Sequence, residues 1–122
     1  VEPEGAMGMT DSLEKGVALE KVDVDTIADS LGAPLHAPIS FSVCQKVIDR
    51  TVLVSDDAMC QAMAWAADEL KLALEPAGAA VLAALHGPLR KDCANRSVAA
   101  ILCGSNIDSE SWSAYVARGR KS

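Results

Sequence analysis

Aromatic residues are scarce in this chain: one phenylalanine, one tyrosine and two tryptophans among 122 residues. Half of the sequence is hydrophobic all the same, with alanine and small aliphatics supplying most of it. Alanine buries little area per residue, so a core is available but not a generous one. Basic charge is short as well. Eleven Lys and Arg stand against seventeen Asp and Glu, a formal net charge of −6, which excludes the basic face of a nucleic-acid binder. No apolar run approaches the ~18 residues of a membrane span. The N-terminus, Val-Glu-Pro-Glu, carries no basic segment ahead of a hydrophobic one, so no secretory signal and no membrane partner are expected. The four cysteines, Cys44, Cys60, Cys93 and Cys103, share no Cys-x-x-Cys spacing. Zinc is therefore not expected, and reduced thiols in a cytoplasmic setting are. Internal repeats, low-complexity tracts and an initiator methionine are all missing. A length of 122 residues suits one small domain, and Val1 reads as the continuation of a chain already under way.

What is present is an alternation of helices and strands. After the turn-rich stretch 1–9, Thr10 can cap a short helix through Lys15 that Gly16 ends. Residues 17–24 alternate only weakly, and Gly32, Pro34 and Pro38 mark an irregular passage. Ser40 opens a helix whose stripe of Phe41, Val43, Cys44, Val47 and Ile48 predicts a buried face. Thr51–Ser55 reads as a short β-branched strand. Ser55 caps the clearest helix, with Asp56 and Asp57 at the positive end of its dipole. Its apolar face is Met59, Ala62, Met63, Ala66, Ala67 and Leu70. Pro76 starts another helix, carrying Ala80, Val81, Ala84 and Leu85, which His86-Gly87-Pro88 stops. Val98–Cys103 is an apolar run of strand length, Gly104-Ser105-Asn106 a turn, and Asp108 the start of a last helix with Trp112, Tyr115 and Val116 at helical spacing. Alternation of this kind predicts an α/β fold with a partial, open, mostly parallel sheet flanked by helices. Two or three parallel strands need cover on both faces, so a single partial domain is expected over 1–122.

Chemistry concentrates at few places. In open α/β sheets ligands sit beyond the carboxyl ends of strands, which is where Cys103 and Gly104 lie. The turn can offer backbone N–H groups to an anion, or it can be a plain capped turn. Cys103 can face a ligand as a neutral thiol or pack as a small hydrophobe, and neither His36 nor His86 is near it in sequence to make it a nucleophile. Glu2, Glu4 and Glu75 flank prolines and can cap helices or bind a cation. Asp29 has no adjacent basic partner and stays undecided.

Four passages taken in order carry a resemblance: Val-Glu-Pro-Glu-Gly-Ala from Val1, Thr-Ile-Ala-Asp-Ser-Leu from Thr26, Leu-Glu-Pro-Ala-Gly-Ala from Leu74, and Ile-Leu-Cys-Gly-Ser-Asn-Ile-Asp from Ile101. Together they resemble the C-terminal part of the pyridoxal-phosphate-dependent threonine/serine dehydratases and serine racemases. The likeness implies part of the large domain of fold type II enzymes, with no regulatory domain, and pyridoxal phosphate as cofactor. It also implies an amino acid as the intact enzyme's substrate, cytoplasmic amino-acid metabolism and a homo-oligomer. Carried over, Cys103 is the strand-tip residue that bonds the cofactor's pyridine nitrogen, next to Gly104. Asp29 and Ser30 lie beside the cofactor, Ser30 standing where the family usually has glycine, and Glu75 lies near the pocket. Glu2 and the carbonyl of Ala6 fall where some members hold a divalent or monovalent cation; the family's third ligand, an aspartate, is Gly8 here. The family's cofactor-bearing lysine and phosphate-binding glycine run have no counterpart in these residues. The resemblance thus implies a lyase segment that eliminates a hydroxyl and ammonia only as part of a larger enzyme and is inactive alone. The alternative expectation is a free-standing module derived from this fold, dimerising through its open sheet edge.

Overall fold

The computed structural model describes residues 1–121, and its order is β1 (Glu2–Pro3), α1 (Gly8–Lys15), α2 (Pro38–Val47), β2 (Leu53–Val54), α3 (Asp56–Trp65), α4 (Pro76–His86) and α5 (Ser109–Gly119). The two strands pair in parallel, Glu2 opposite Leu53 and Pro3 opposite Val54. The α/β expectation holds. No described helix is long and apolar enough to cross a membrane.

Local chemistry explains the helix ends. The Ser55 hydroxyl accepts a hydrogen bond from the Ala58 N–H at 3.2 Å, satisfying one of the four amides that a helix start leaves orphaned. Pro76 sits in the first turn of α4, where its missing N–H costs nothing. Gly16 ends α1 in the left-handed conformation at φ 70°, which glycine adopts without a Cβ penalty.

The core is a three-helix packing of α3, α4 and α5. Met59 and Met63 of α3 are fully buried and meet Ala79, Ala80, Ala83 and Ala84 of α4, with Val116 of α5 and Val54 of β2 closing the sides. Methionine suits this place because its flexible thioether fills the irregular gaps that small alanines leave. Helix α4 is apolar nearly all round and correspondingly buried on most of its surface.

Four expectations need correction. Val98–Cys103 forms no strand: among the described residues its backbone makes no ladder bond. The stripe on α2 is not a buried face. Phe41 is buried, but Val43 and Val47 are exposed, since α2 packs chiefly on α1. The apolar face of α3 stops short. A π-helical turn over Ala66–Leu70, ended by Lys71 at φ 58°, widens the helix and rotates Leu70 outward. Thr10 does not cap α1, which already begins at Gly8.

Candidate functional site

The chemistry gathers where α4 begins. Glu75 is extended, with ψ 164°, immediately before Pro76. Its backbone N–H donates to the Gly104 carbonyl at 3.1 Å. Its carboxylate reaches the same turn: Oε2 accepts from the Asn106 N–H at 3.0 Å. Residue 75 therefore grips the turn on both sides. The second carboxylate oxygen, Oε1, faces the Ser30 hydroxyl at 3.4 Å, and that hydroxyl also lies 3.3 Å from Asp29 Oδ1. One hydroxyl has one proton to donate, so Ser30 serves one carboxylate at a time. Its backbone N–H donates to Asp29 Oδ1 at 2.7 Å.

Two glycines permit this closeness. Gly104 has φ 89°, and a Cβ there would run into the Glu75 carboxylate. In α4, a Cβ at Gly78 would run into the carbonyl oxygens of Cys103 and Gly104. The passage 26–31 is tied down from β2's end: the Asp56 carboxylate accepts from the Thr26 hydroxyl at 2.6 Å and from the Ile27 N–H at 3.1 Å. Asp56 thus does more than complement the dipole of α3.

Between these elements lies a cleft of about 190 Å³, lined by Ile27, Asp29, Glu75, Asn106, Asp108 and Tyr115. Three carboxylates repel a phosphate there, and the Asn106 amide is already committed to Glu75. Cys103 is exposed at the mouth of the turn and free. The structure therefore brings together Asp29, Ser30, Glu75 and Gly104, with Cys103 alongside. Glu2, Ala6 and Gly8 belong to a different place, the corner between β1 and α1. Sequence reasoning missed Gly78, and although it marked the Gly104-Ser105-Asn106 turn as offering N–H groups to an anion, it did not identify the Glu75 carboxylate as the acceptor of the Asn106 N–H. A lone glycine inside an alanine-rich helix was the available signal for Gly78, because it costs helix stability unless a neighbour needs the space.

The far wall of the cleft depends on α5, whose cap is Asp108. Its carboxylate accepts from the Ser111 N–H at 2.8 Å. Hydrogen bonds from Ser111, led by its side chain, hold the Asp108 carboxyl below the usual range. A depressed folded value means stability that is present above the unfolded value of about 3.9 and lost as pH falls through the folded one. Acid unfolding followed by circular dichroism should accordingly be less steep for Asp108→Asn, which keeps a good cap without a titrating group. An unchanged acid limb would remove Asp108 from this account.

A glycine turn gripped by the start of α4, close to a helix-covered pair of parallel strands, is a place where an α/β fold can receive a ligand. The model of the pyridoxal-phosphate dependent enzymes matches residues 1–104, and the chain belongs to that family. It is 42% identical over 119 residues to a phenylserine dehydratase of Ralstonia pickettii, covering 98% of this chain and 36% of that protein. It is 37% identical to threonine dehydratase 2 of Solanum lycopersicum, covering 88% of this chain and 18% of the other. Among solved structures, the processed form of threonine deaminase isoform 2 from Solanum lycopersicum superposes with a TM-score of 0.86 at 32% identity, over 99% of this chain and 34% of that one. Maize serine racemase gives 0.76 at 32%, over 93% and 36%. The chain spans about a third or less of the length of these relatives. The expected likeness to dehydratases and serine racemases holds, and the structural neighbours are fold type II pyridoxal-phosphate enzymes.

Proposed function

We propose that this chain supplies one wall of the cofactor pocket of a hydroxy-amino-acid dehydratase, which eliminates the β-hydroxyl as water and then takes up water as the dehydrated product hydrolyses to a 2-oxo acid and ammonia. The observation that carries this reading is the grip of Glu75 on the turn at Gly104 and Asn106, which fixes Cys103 at the entrance to that turn. The donor set fits one edge of pyridoxal phosphate. An exposed neutral thiol beside a glycine turn suits a pyridine nitrogen, and no cationic side chain lines the adjoining cleft. When bound, that cofactor supplies an electron sink. Cys103 would hold the ring nitrogen without keeping a proton on it, as a carboxylate would, and so weaken the sink. In that place Cys103 would suit loss of a β-hydroxyl, which needs no long-lived carbanion. Glu75, Ser30 and Asp29 orient the turn and the neighbouring passage. No lysine of these residues sits at the cleft, so covalent catalysis is assigned to the rest of such an enzyme and this chain is inactive alone.

Titrating the chain with pyridoxal phosphate, followed by ligand absorbance and by the fluorescence of Trp65 and Trp112, tests the assignment. A saturable change that weakens in Cys103→Ala is the expected result. Only slow, unspecific labelling of lysines would sink it.

A second reading is favoured by one observation. Val1 is 42% exposed, Val98 47% and Ile101 83%; Val98 and Ile101 lie in the unpaired Ser97–Cys103 segment and Val1 directly precedes β1. A module of this fold would bury that edge against a second copy. A discrete dimer by size-exclusion chromatography, with no cofactor response, would select it.

A further inference from the structure

Away from the cleft, β1 runs into α1 at the corner where the resemblance places the structural cation of some family members. The residues of this chain do not fit one there. Glu2 is already engaged: its carboxylate accepts from the Met9 N–H at 2.8 Å, the Thr10 N–H at 2.8 Å and the Thr10 hydroxyl at 2.6 Å. Of about four lone-pair sites on a carboxylate, three are taken. A hard cation collects roughly six to eight oxygens, and Gly8 contributes no side chain. Among the described residues no three His, Cys, Asp or Glu side chains come together as a metal set.

The volume that a side chain at residue 8 would use is occupied. A Cβ at Gly8 would lie 2.6 Å from His36 Nε2 and 2.8 Å from Val22 Cγ2. His36 Nε2 is buried and has no hydrogen-bond partner, so this edge of the imidazole is held by packing. The loop that delivers both side chains is pinned by its own backbone. Val22 N–H donates to the Pro34 carbonyl at 2.8 Å, His36 N–H to the Leu19 carbonyl at 2.9 Å, and Asp25 N–H to the Gly5 carbonyl at 2.8 Å. The Leu19 N–H donates to the buried Ser12 hydroxyl of α1 at 3.2 Å. The loop is a wedge fastened to α1 at one end and to the Glu4–Ala6 turn at the other.

We propose that this corner is cation-independent: His36 and Val22 plug the space, and the first amides of α1 neutralise Glu2 where a metal ion would otherwise do so. Negative charge at a helix N-terminus is favourable in itself, which makes Glu2 a cap rather than a ligand. The contrast with cation-holding relatives rests on the family reading, whereas the plug and the cap rest on the contacts above.

The test is thermal unfolding of the metal-stripped chain, titrated separately with Mg²⁺, Ca²⁺, Mn²⁺, K⁺ and Zn²⁺. A ligand that binds only the folded state raises Tm with concentration, by several degrees once well above its Kd. No saturable rise is expected with any of the five. A rise with Mg²⁺, Ca²⁺, Mn²⁺ or K⁺ that disappears in Glu2→Gln overturns the proposal. So does a rise with Zn²⁺ that disappears in His36→Ala. The triple variant Gly8→Asp/Val22→Ala/His36→Ala restores an oxygen ligand and empties the plug, so it should gain a saturable rise with Ca²⁺ or Mg²⁺. If it is folded and silent, the plug is not what excludes the ion and the proposal falls. If it does not fold, the titration of the unaltered chain decides. Failure of the pyridoxal phosphate titration leaves this result untouched, because no readout here involves the cofactor.

Discussion

Replacing Gly78 by alanine is expected to destabilise the chain by about 2 kcal/mol, although alanine is the better helix former by ~1 kcal/mol. Two effects of opposite sign meet at this residue. Propensity favours the substitution, by less than at mid-helix, since Gly78 lies in the first turn of α4. Packing opposes it, because the new Cβ would run into the carbonyl oxygens of Cys103 and Gly104. Those are backbone atoms, and no rotamer change moves them aside. Inserting a methyl into filled space costs typically ~1–3 kcal/mol, and contact with fixed backbone belongs at or above the upper end. Packing therefore wins. Relief requires α4 to shift from the 103–104 turn, which would also lengthen the bond from Glu75 N–H to the Gly104 carbonyl. Urea unfolding measures the outcome as a fall in midpoint with an unchanged slope. If Gly78→Ala matches or exceeds the unaltered chain, the turn does not pack on α4 as described.

The same pair of effects shows what could be read from residues alone. The starts of α3 and α4 and the end of α1 were legible because a cap or a proline acts through bonds within one turn: the Ser55 hydroxyl, Pro76 and Gly16 each do their work locally. Composition makes the apolar run Val98–Cys103 resemble a strand, but strand pairing is a property of two segments, and among the described residues this run forms no ladder bond. Helix α2 shows the same limit. Its stripe is amphipathic, yet a stripe does not say whether anything covers it, and Val47 is 68% exposed. Leu70 was misassigned for a geometric reason, as one π-helical turn breaks the 3.6-residue period that the pattern assumed. At the candidate site, the four passages located Glu75, Ser30, Gly104 and Cys103 as neighbours. The hydrogen bond from Asn106 to Glu75 spans 31 residues, and no spacing rule reaches that far. Glu2 was weighed as cap or ligand, and only its three donors distinguish the two roles.

Removing the Glu75 carboxylate should cost about as much as filling the Gly78 gap. Glu75→Ala is expected to lose ~2–3 kcal/mol, by the following sum. The Asn106 N–H loses a charged acceptor at 3.0 Å, and hydrogen bonds to charged groups are worth ~1.5–3 kcal/mol. A negative charge next to the first turn of α4 contributes a further ~0.3–1 kcal/mol. The Ser30 hydroxyl, at 3.4 Å, is too long to add much, and it keeps Asp29 as an alternative acceptor. Glu75→Gln separates shape from charge. Its carbonyl oxygen can still accept from Asn106, so only the charge-dependent part, ~1 kcal/mol, should go. The backbone bond from residue 75 to the Gly104 carbonyl survives in both variants, so neither should unfold the turn outright. The functional consequence follows from the same geometry. With the carboxylate gone, the turn is held on one side only, and the residue before it, Cys103, is no longer fixed in place. Glu75→Ala should therefore flatten the pyridoxal phosphate titration as far as Cys103→Ala does, while Glu75→Gln keeps most of the response. Equal stability of the alanine and glutamine variants would mean that the carboxylate does not hold the turn. A cofactor response intact in Glu75→Ala would mean that holding the turn is not what positions Cys103.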